Sequence, residues 1–240
     1  MTERGFVAGA TGLTGRAVVR HLIARGAEAI AHVRPDSSRL AEHRAALEAE
    51  GATVDITPWD EAAMTATLRR LAPNAVFALL GTTRKRIEQV AKAGGDPAAQ
   101  SYEAVDYGLT ALLRRAAEAS GAEPRLVYVS MVGIDVAKDS RNPYTQVRIR
   151  IERELRDGAL PYTVLRPSFI SGDRTEPRAG ESIGATMIDG ALSVVGALGA
   201  RRTRDRYRSI TGDDLGRACV RLAFDPAAKN RVFEADQLRD

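Results

Sequence analysis

Three glycines at three-residue spacing near the start of the chain constrain its fold most. Within residues 4–25 the short apolar run Phe6-Val7-Ala8 reads as a buried strand. The segment Gly9-Ala10-Thr11-Gly12-Leu13-Thr14-Gly15 follows, and Ala17, Val18, Leu22 and Ile23 then recur as one apolar helix face. Strand, glycine turn and helix together are the context that a dinucleotide fingerprint needs. Gly9 permits a tight turn that a Cβ would block. Gly12 lets main-chain N–H groups approach a pyrophosphate, and Gly15 lets the helix pack close to the strand. The unpaired N–H groups and the positive end of the helix dipole would then hold the anion. Gly9, Thr11, Gly12, Leu13, Thr14 and Gly15 are therefore candidate cofactor contacts. The spacing is G-x-x-G-x-x-G, not G-x-G-x-x-G.

Strand and helix patterns go on alternating. Strands are expected at 28–33, 52–56, 75–80, 125–129 and 162–165, and helices at 38–50, 61–71 and 98–120. Such alternation specifies an α/β fold: a Rossmann-type, doubly wound parallel sheet with helices on both faces. Residues 1–240 read as a single such domain. The stretch from 84 to Pro97 reads as a long loop, and the polar, turn-rich 171–180 as a lid. A helix at 183–198, a strand at 207–210, a helix at 215–224 capped by Asp213 and Asp214, and a strand at 232–233 are expected to form a small substrate-side cap, with 168–210 contributing to it.

Residues at the expected strand ends extend the candidate site. The second strand ends at Arg34, where an acidic residue would favour NAD through the ribose 2′-OH. Arg34, Ser37, Ser38 and Arg39 suit a 2′-phosphate instead, so NADP(H) is expected over NAD(H). Asp36 reads as a helix N-cap. Asp55 and Ile56 end the third strand, and Leu80, Gly81 and Thr82 the fourth, where open α/β sheets bind ligands. Arg84, Lys85 and Arg86 read equally well as a site for a phosphate or acidic substrate and as solvated charges.

Composition removes several function classes. Cys219 is the single cysteine, so neither an intramolecular disulfide nor a cysteine metal cluster can form. His21, His32 and His43 lack ligand spacing, and no metal site is expected; His21 and His43 read as helix-surface or boundary residues. The longest apolar run, 183–200, contains Asp189 and several glycines, which argues against a membrane span. With no signal-peptide pattern before the first strand, the expected compartment is the cytoplasm. The net charge is +4, and Arg201, Arg202, Arg204, Arg206 and Arg208 form the densest basic cluster. No aromatic residues are interleaved in recognition-motif fashion, so a solvated face is expected there and not a nucleic-acid site.

The chemistry is expected in the second half. Ser130 ends an apolar strand, and fourteen residues later Tyr144 opens a helix with Arg148 four positions on. Residues i and i+4 share a helix face, so Tyr144 and Arg148 point together. A tyrosine can act as general acid or base toward a carbonyl or hydroxyl, and a nearby cation favours its phenolate.

The glycine loop, Leu79-Leu80-Gly81-Thr82-Thr83, Ser130, Tyr144-x-x-x-Arg148 and Leu165-Arg166-Pro167 occur in the order of the short-chain dehydrogenase/reductase superfamily. The chain resembles its atypical NAD(P)H-binding branch. Leu80-Gly81-Thr82-Thr83, Asn142-Pro143-Tyr144 and the 174–181 segment are similar to the oxidoreductase family named for the HIV Tat-interacting protein. The resemblance implies that Ser130, Tyr144 and Arg148 are catalytic, with Ser130 orienting the substrate oxygen. It places Asp55 at the adenine and the turn at Arg166 and Pro167 against the nicotinamide. It implies hydride transfer to or from a small carbonyl or hydroxyl substrate of unknown identity. The superfamily carries lysine where this chain has Arg148; arginine keeps the charge but cannot relay a proton by deprotonating. A cofactor-binding regulator with little turnover is the alternative, and an epimerase or isomerase that keeps its cofactor a third reading. Monomer and homodimer both remain open.

Overall fold

The computed structural model describes residues 2–172 and 208–239. In chain order the strands are β1 (Arg4–Ala8), β2 (Glu28–His32), β3 (Thr53–Asp55), β4 (Ala75–Ala78), β5 (Arg125–Val129), β6 (Tyr162–Arg166), β7 (Ile170–Ser171), β8 (Ile210–Thr211) and β9 (Arg231–Glu234). The α-helices are α1 (Leu13–Ala24), α2 (Leu40–Ala49), α3 (Glu61–Leu71), α4 (Arg84–Lys92), α5 (Thr110–Ser120), α6 (Pro143–Asp157) and α7 (Gly212–Phe224).

Seven strands form one parallel sheet in the order β3-β2-β1-β4-β5-β6-β9, and β7 pairs with β8 in a separate two-stranded ribbon. Strands covered on both faces must be apolar throughout, and the side-chain period of two divides them between two cores. Val7 and Phe77 face the core built with Val18, Leu22, Leu215 and Cys219 of α1 and α7. Phe6, Val76 and Tyr128 face the other, with Met64, Leu68, Leu113, Ile151 and Leu155 of α3, α5 and α6. Phe6 and Phe77 are wholly buried, and each stabilises the fold by about 1.5–3 kcal/mol over an exposed position. The chain runs outward from β1 in both directions, so the strand order reverses between β1 and β4. A crevice opens at the carboxyl ends of the strands at such a switch point.

Four expectations need correction. Asp36 does not cap α2. A turn in which Ser37 N donates to Arg34 O comes first, α2 starts only at Leu40 without a side-chain cap, and Asp36 faces Arg34 at 3.7 Å. The expected loop after residue 83 is the helix α4, capped by Thr83 Oγ1, which accepts from Arg86 N at 3.1 Å. The single long helix at 98–120 is three pieces: a 3₁₀ turn at Ala98–Gln100, a π-helical segment at Tyr102–Leu109, and α5. The fourth concerns the last helix and the last strand, which belong to the main fold and not to a cap. α7 packs beside α1, with Leu215, Ala218 and Cys219 in the same core as Val18 and Leu22, and β9 completes the main sheet beside β6. The expected lid beyond Gly172, the helix at 183–198 and the arginine cluster up to Arg206 lie outside the described residues.

Candidate functional site

The glycine loop is built around two close approaches. Gly9 has φ +87°, a left-handed conformation, and a Cβ there would collide with the carbonyl of Leu79 on the neighbouring strand. A Cβ on Gly15 would collide with the Gly9 carbonyl. Gly12 N donates to Gly9 O at 3.0 Å, which closes the turn. α1 then begins with no side-chain cap and no acid in its first turn. By contrast Asp60, Thr83, Asn142 and Thr211 cap α3, α4, α6 and α7. The uncapped N–H groups of α1 and its positive dipole end are left to an outside anion.

A cleft of about 640 Å³ opens in front of that helix end. Of the expected cofactor contacts, Thr11, Gly12, Leu13, Thr14, Gly15, Leu80, Gly81 and Thr82 line it, as do Ser130, Tyr144 and Arg148. Arg16, Arg20, Arg39, Lys85 and Arg86 add five more cations, and none of the described lining residues is acidic. His43 lies among them; burial, then Arg39 and Arg16, hold its pKa below the ordinary histidine value. Its Nδ1 is buried without a hydrogen-bond partner. A low-dielectric crevice lined by one sign of charge concentrates ligands of the other. The chemistry of this lining, the open helix end and the size of the cleft all fit a dinucleotide.

Other expected contacts lie elsewhere. Arg34 is turned to Asp36 and does not line the cleft. Asp55 accepts from Thr57 N at 3.0 Å and Thr57 Oγ1 at 3.1 Å, which fixes its own turn, and Ile56 is exposed. Arg166 is buried between two carboxylates: Nε and Nη2 donate to Glu152 at 3.0 and 2.6 Å, and Nη1 to Glu234 at 2.8 Å. This guanidinium ties α6 to β6 and β9 instead of meeting a ligand. Pro167 lines a second, adjoining cavity.

At the far end of the cleft Asn142 Oδ1 accepts from Tyr144 N and Thr145 N, starting α6 so that Tyr144 and Arg148 face the sheet. Arg148 Nη2 donates to Tyr144 Oη at 3.2 Å, and its guanidinium carbon lies 4.8 Å from the centre of that ring. Since the guanidinium can only donate, the Tyr144 hydroxyl accepts here and its own proton is directed elsewhere. Arg148 also donates to Tyr128 Oη (2.8 Å), Val129 O (2.9 Å) and Asp106 Oδ1 (2.8 Å). Burial opposes its charge, but Tyr128, Tyr144 and Asp106 outweigh that and hold its pKa above even the usual arginine range. Burial likewise pushes the Tyr128 phenol up, against the pull of Arg148.

Asp106 is the residue that sequence reasoning missed. It sits on the π-helical segment, is wholly buried, and its second oxygen accepts from Thr82 N at 2.9 Å. It thereby joins the end of β4 to Arg148. An added Cβ on Gly81 would lie 3.2 Å from its Oδ1, so a small residue is needed at that strand end. The signal in the sequence was a lone acid inside an otherwise apolar stripe.

The second cavity, about 840 Å³, shares Thr82, Thr83, Lys85, Gln89, Ser130, Tyr144 and Ile170 with the cleft. Ser130 Oγ and Thr82 Oγ1 are buried there with no hydrogen-bond partner. Orphaned hydroxyls are costly in a closed core but ready for a ligand's oxygen. No described helix is long and apolar enough to cross a membrane.

Comparison with known proteins agrees with this geometry. Residues 9–226 match a protein family described as NAD(P)H-binding. Fmp52-1 of Aspergillus terreus is 32% identical over 174 residues, spanning 71% of this chain and 68% of its own length. FMP52 of Saccharomyces cerevisiae is 29% identical over 240 residues, spanning 95% and 90%. Both are named as mitochondrial proteins, which overturns the expectation of a cytoplasmic protein. Among solved structures, an oxidoreductase of the short-chain dehydrogenase/reductase family from Burkholderia thailandensis superposes with a TM-score of 0.65 at 17% identity, over 97% of this chain and 90% of its own. UDP-glucose 4-epimerase of Thermus thermophilus in complex with NAD gives 0.62 at 14%, over 98% and 80%. At such identities the likeness is one of fold alone, the Rossmann-type parallel sheet that these proteins share with this chain.

Proposed function

The chain belongs to the NAD(P)H-binding family, and from that premise we propose that it is an NADP(H)-dependent oxidoreductase acting on a carbonyl or hydroxyl substrate. The observation that carries this reading is the junction of the two spaces. A cationic cleft opening from the bare end of α1 meets the second cavity, and Thr82, Ser130 and Tyr144 line both spaces. Thr11 to Gly15 would hold the diphosphate, and Arg39, Arg16 and His43 the 2′-phosphate. When bound, the nicotinamide supplies or accepts a hydride. Ser130 Oγ donates to the substrate oxygen, while Tyr144 Oη delivers a proton to that oxygen or takes one from it. Arg148 sets a permanent charge beside Tyr144 Oη, and Asp106 keeps that guanidinium in place.

The test is a fluorescence titration with NADPH followed by a carbonyl screen that reads loss of nicotinamide absorbance. Arg39→Ala is expected to weaken NADPH about 10–100-fold while leaving NADH nearly unchanged, the effect of one charge-assisted contact to a phosphate. Arg34→Ala should leave the NADPH/NADH ratio as it is, because Arg34 faces Asp36 outside the cleft. Equal loss of both cofactors in Arg39→Ala would refute the 2′-phosphate role.

One observation favours a second reading, a nucleotide-binding regulator with little turnover. Both terminal nitrogens of Arg148 are already engaged by Asp106, Tyr128 and Val129. It has less to offer a ribose than a lysine would. Tight NADPH binding with no turnover on any carbonyl would support that reading.

A further inference from the structure

We propose that the second cavity takes a substrate with an apolar carbon skeleton and a carboxylate at the end remote from the reacting carbon. The proposal rests on the oxidoreductase reading and names its substrate class. It follows from the two unlike walls of the cavity. One wall, from the segments after β5 and β6, presents Met131, Val132, Pro167 and Phe169. Phe169 is 48% exposed, one of two large apolar side chains so placed among the described residues. An apolar group lying along this wall would remove that surface from water.

The facing wall is α4. Arg84, Lys85, Glu88, Gln89 and Lys92 line the cavity. Their spacing of i, i+1, i+4, i+5 and i+8 is one helix face. Three of the five are cations and one is an acid. Arg84 and Lys92 make no ion pair with any described residue, and α4 buries none of its side chains in the protein core. At about 1.5 Å per residue, Lys92 stands some 12 Å beyond Arg84, at the end of α4 remote from Thr82. A molecule whose carbonyl oxygen meets Ser130 and Tyr144 therefore extends with carbon on one side and the positive charges of Arg84 and Lys92 on the other. A neutral alcohol or aldehyde would use only half of this lining.

The test uses the NADPH-loaded protein and two unreactive probes, decanoate and decanamide, titrated by calorimetry at low salt. Decanoate is expected to bind about ten-fold tighter, with the preference shrinking as salt screens the pair. In the double variant Arg84→Gln/Lys92→Gln the preference should fall to within two-fold, and Arg84→Lys/Lys92→Arg should restore it. Equal binding of both probes to the wild type, or a preference untouched in the double variant, would overturn the proposal and leave these charges as a solvated face. NADPH affinity is measured separately in each variant. Failure of the wild type to bind NADPH counts against the oxidoreductase reading, while the decanoate preference of the same protein still decides the proposal.

Discussion

Asp106→Ala is expected to destabilise the fold by about 3–5 kcal/mol, the cost of leaving a buried guanidinium without its carboxylate. Asp106 is wholly buried and the Arg148 side chain only 7% exposed, so water cannot replace the lost partner without opening the cleft. The Thr82 N–H would lose its acceptor in the same step. Urea unfolding should show the loss as a lowered midpoint with little change in slope. A double variant, Asp106→Leu/Arg148→Met, removes both charges and should recover most of the stability, since apolar replacement of a whole buried pair is often neutral. If the single variant lost less than about 1 kcal/mol, Arg148 would have found solvent, and the network would be looser than its distances imply.

Tyr144→Phe should lower turnover about 10²–10⁴-fold, the usual worth of a positioned proton carrier, and leave NADPH affinity within about two-fold. The change removes one oxygen, which accepts a single 3.2 Å bond from Arg148. The ring keeps its edge contact with Tyr102, and Arg148 keeps Asp106, Tyr128 and Val129. A thermal melt within a few degrees of wild type would confirm that the loss is chemical. Full activity in the variant would mean that another group moves the proton.

Local patterns made much of this legible. The glycine turn, the apolar strands and the Tyr144–Arg148 spacing are short-range features, and each stands in the structure where its spacing put it. What escaped depends on distant partners. α4 carries Ile87, Val90 and Ala91 at the helical spacing i, i+3, i+4, but this short apolar set follows Arg84, Lys85 and Arg86 and reads as part of a charged loop until the Thr83 cap is seen. Arg34 and Arg39 carry the same charge five positions apart, and only the turn before α2 decides that Arg39 lines the cleft, with its guanidinium held by Glu42. The family resemblance placed Arg166 at the cofactor, and its carboxylate partners Glu152 and Glu234, 14 and 68 positions away, gave no local sign of the pairing. β9 lies at the end of the chain yet pairs with β6, so no nearby residue could announce it.

The guanidinium enclosed by Asp106, Tyr128 and Tyr144 sets how activity answers to alkali. A lysine in its place could surrender its proton as the medium turns basic, adding a second ionisation to the rate profile. Arginine has no such limb within the range where proteins survive. A plot of log kcat against pH should therefore show no bend that arises at position 148, and in Arg148→Lys an added bend should enter from the alkaline side.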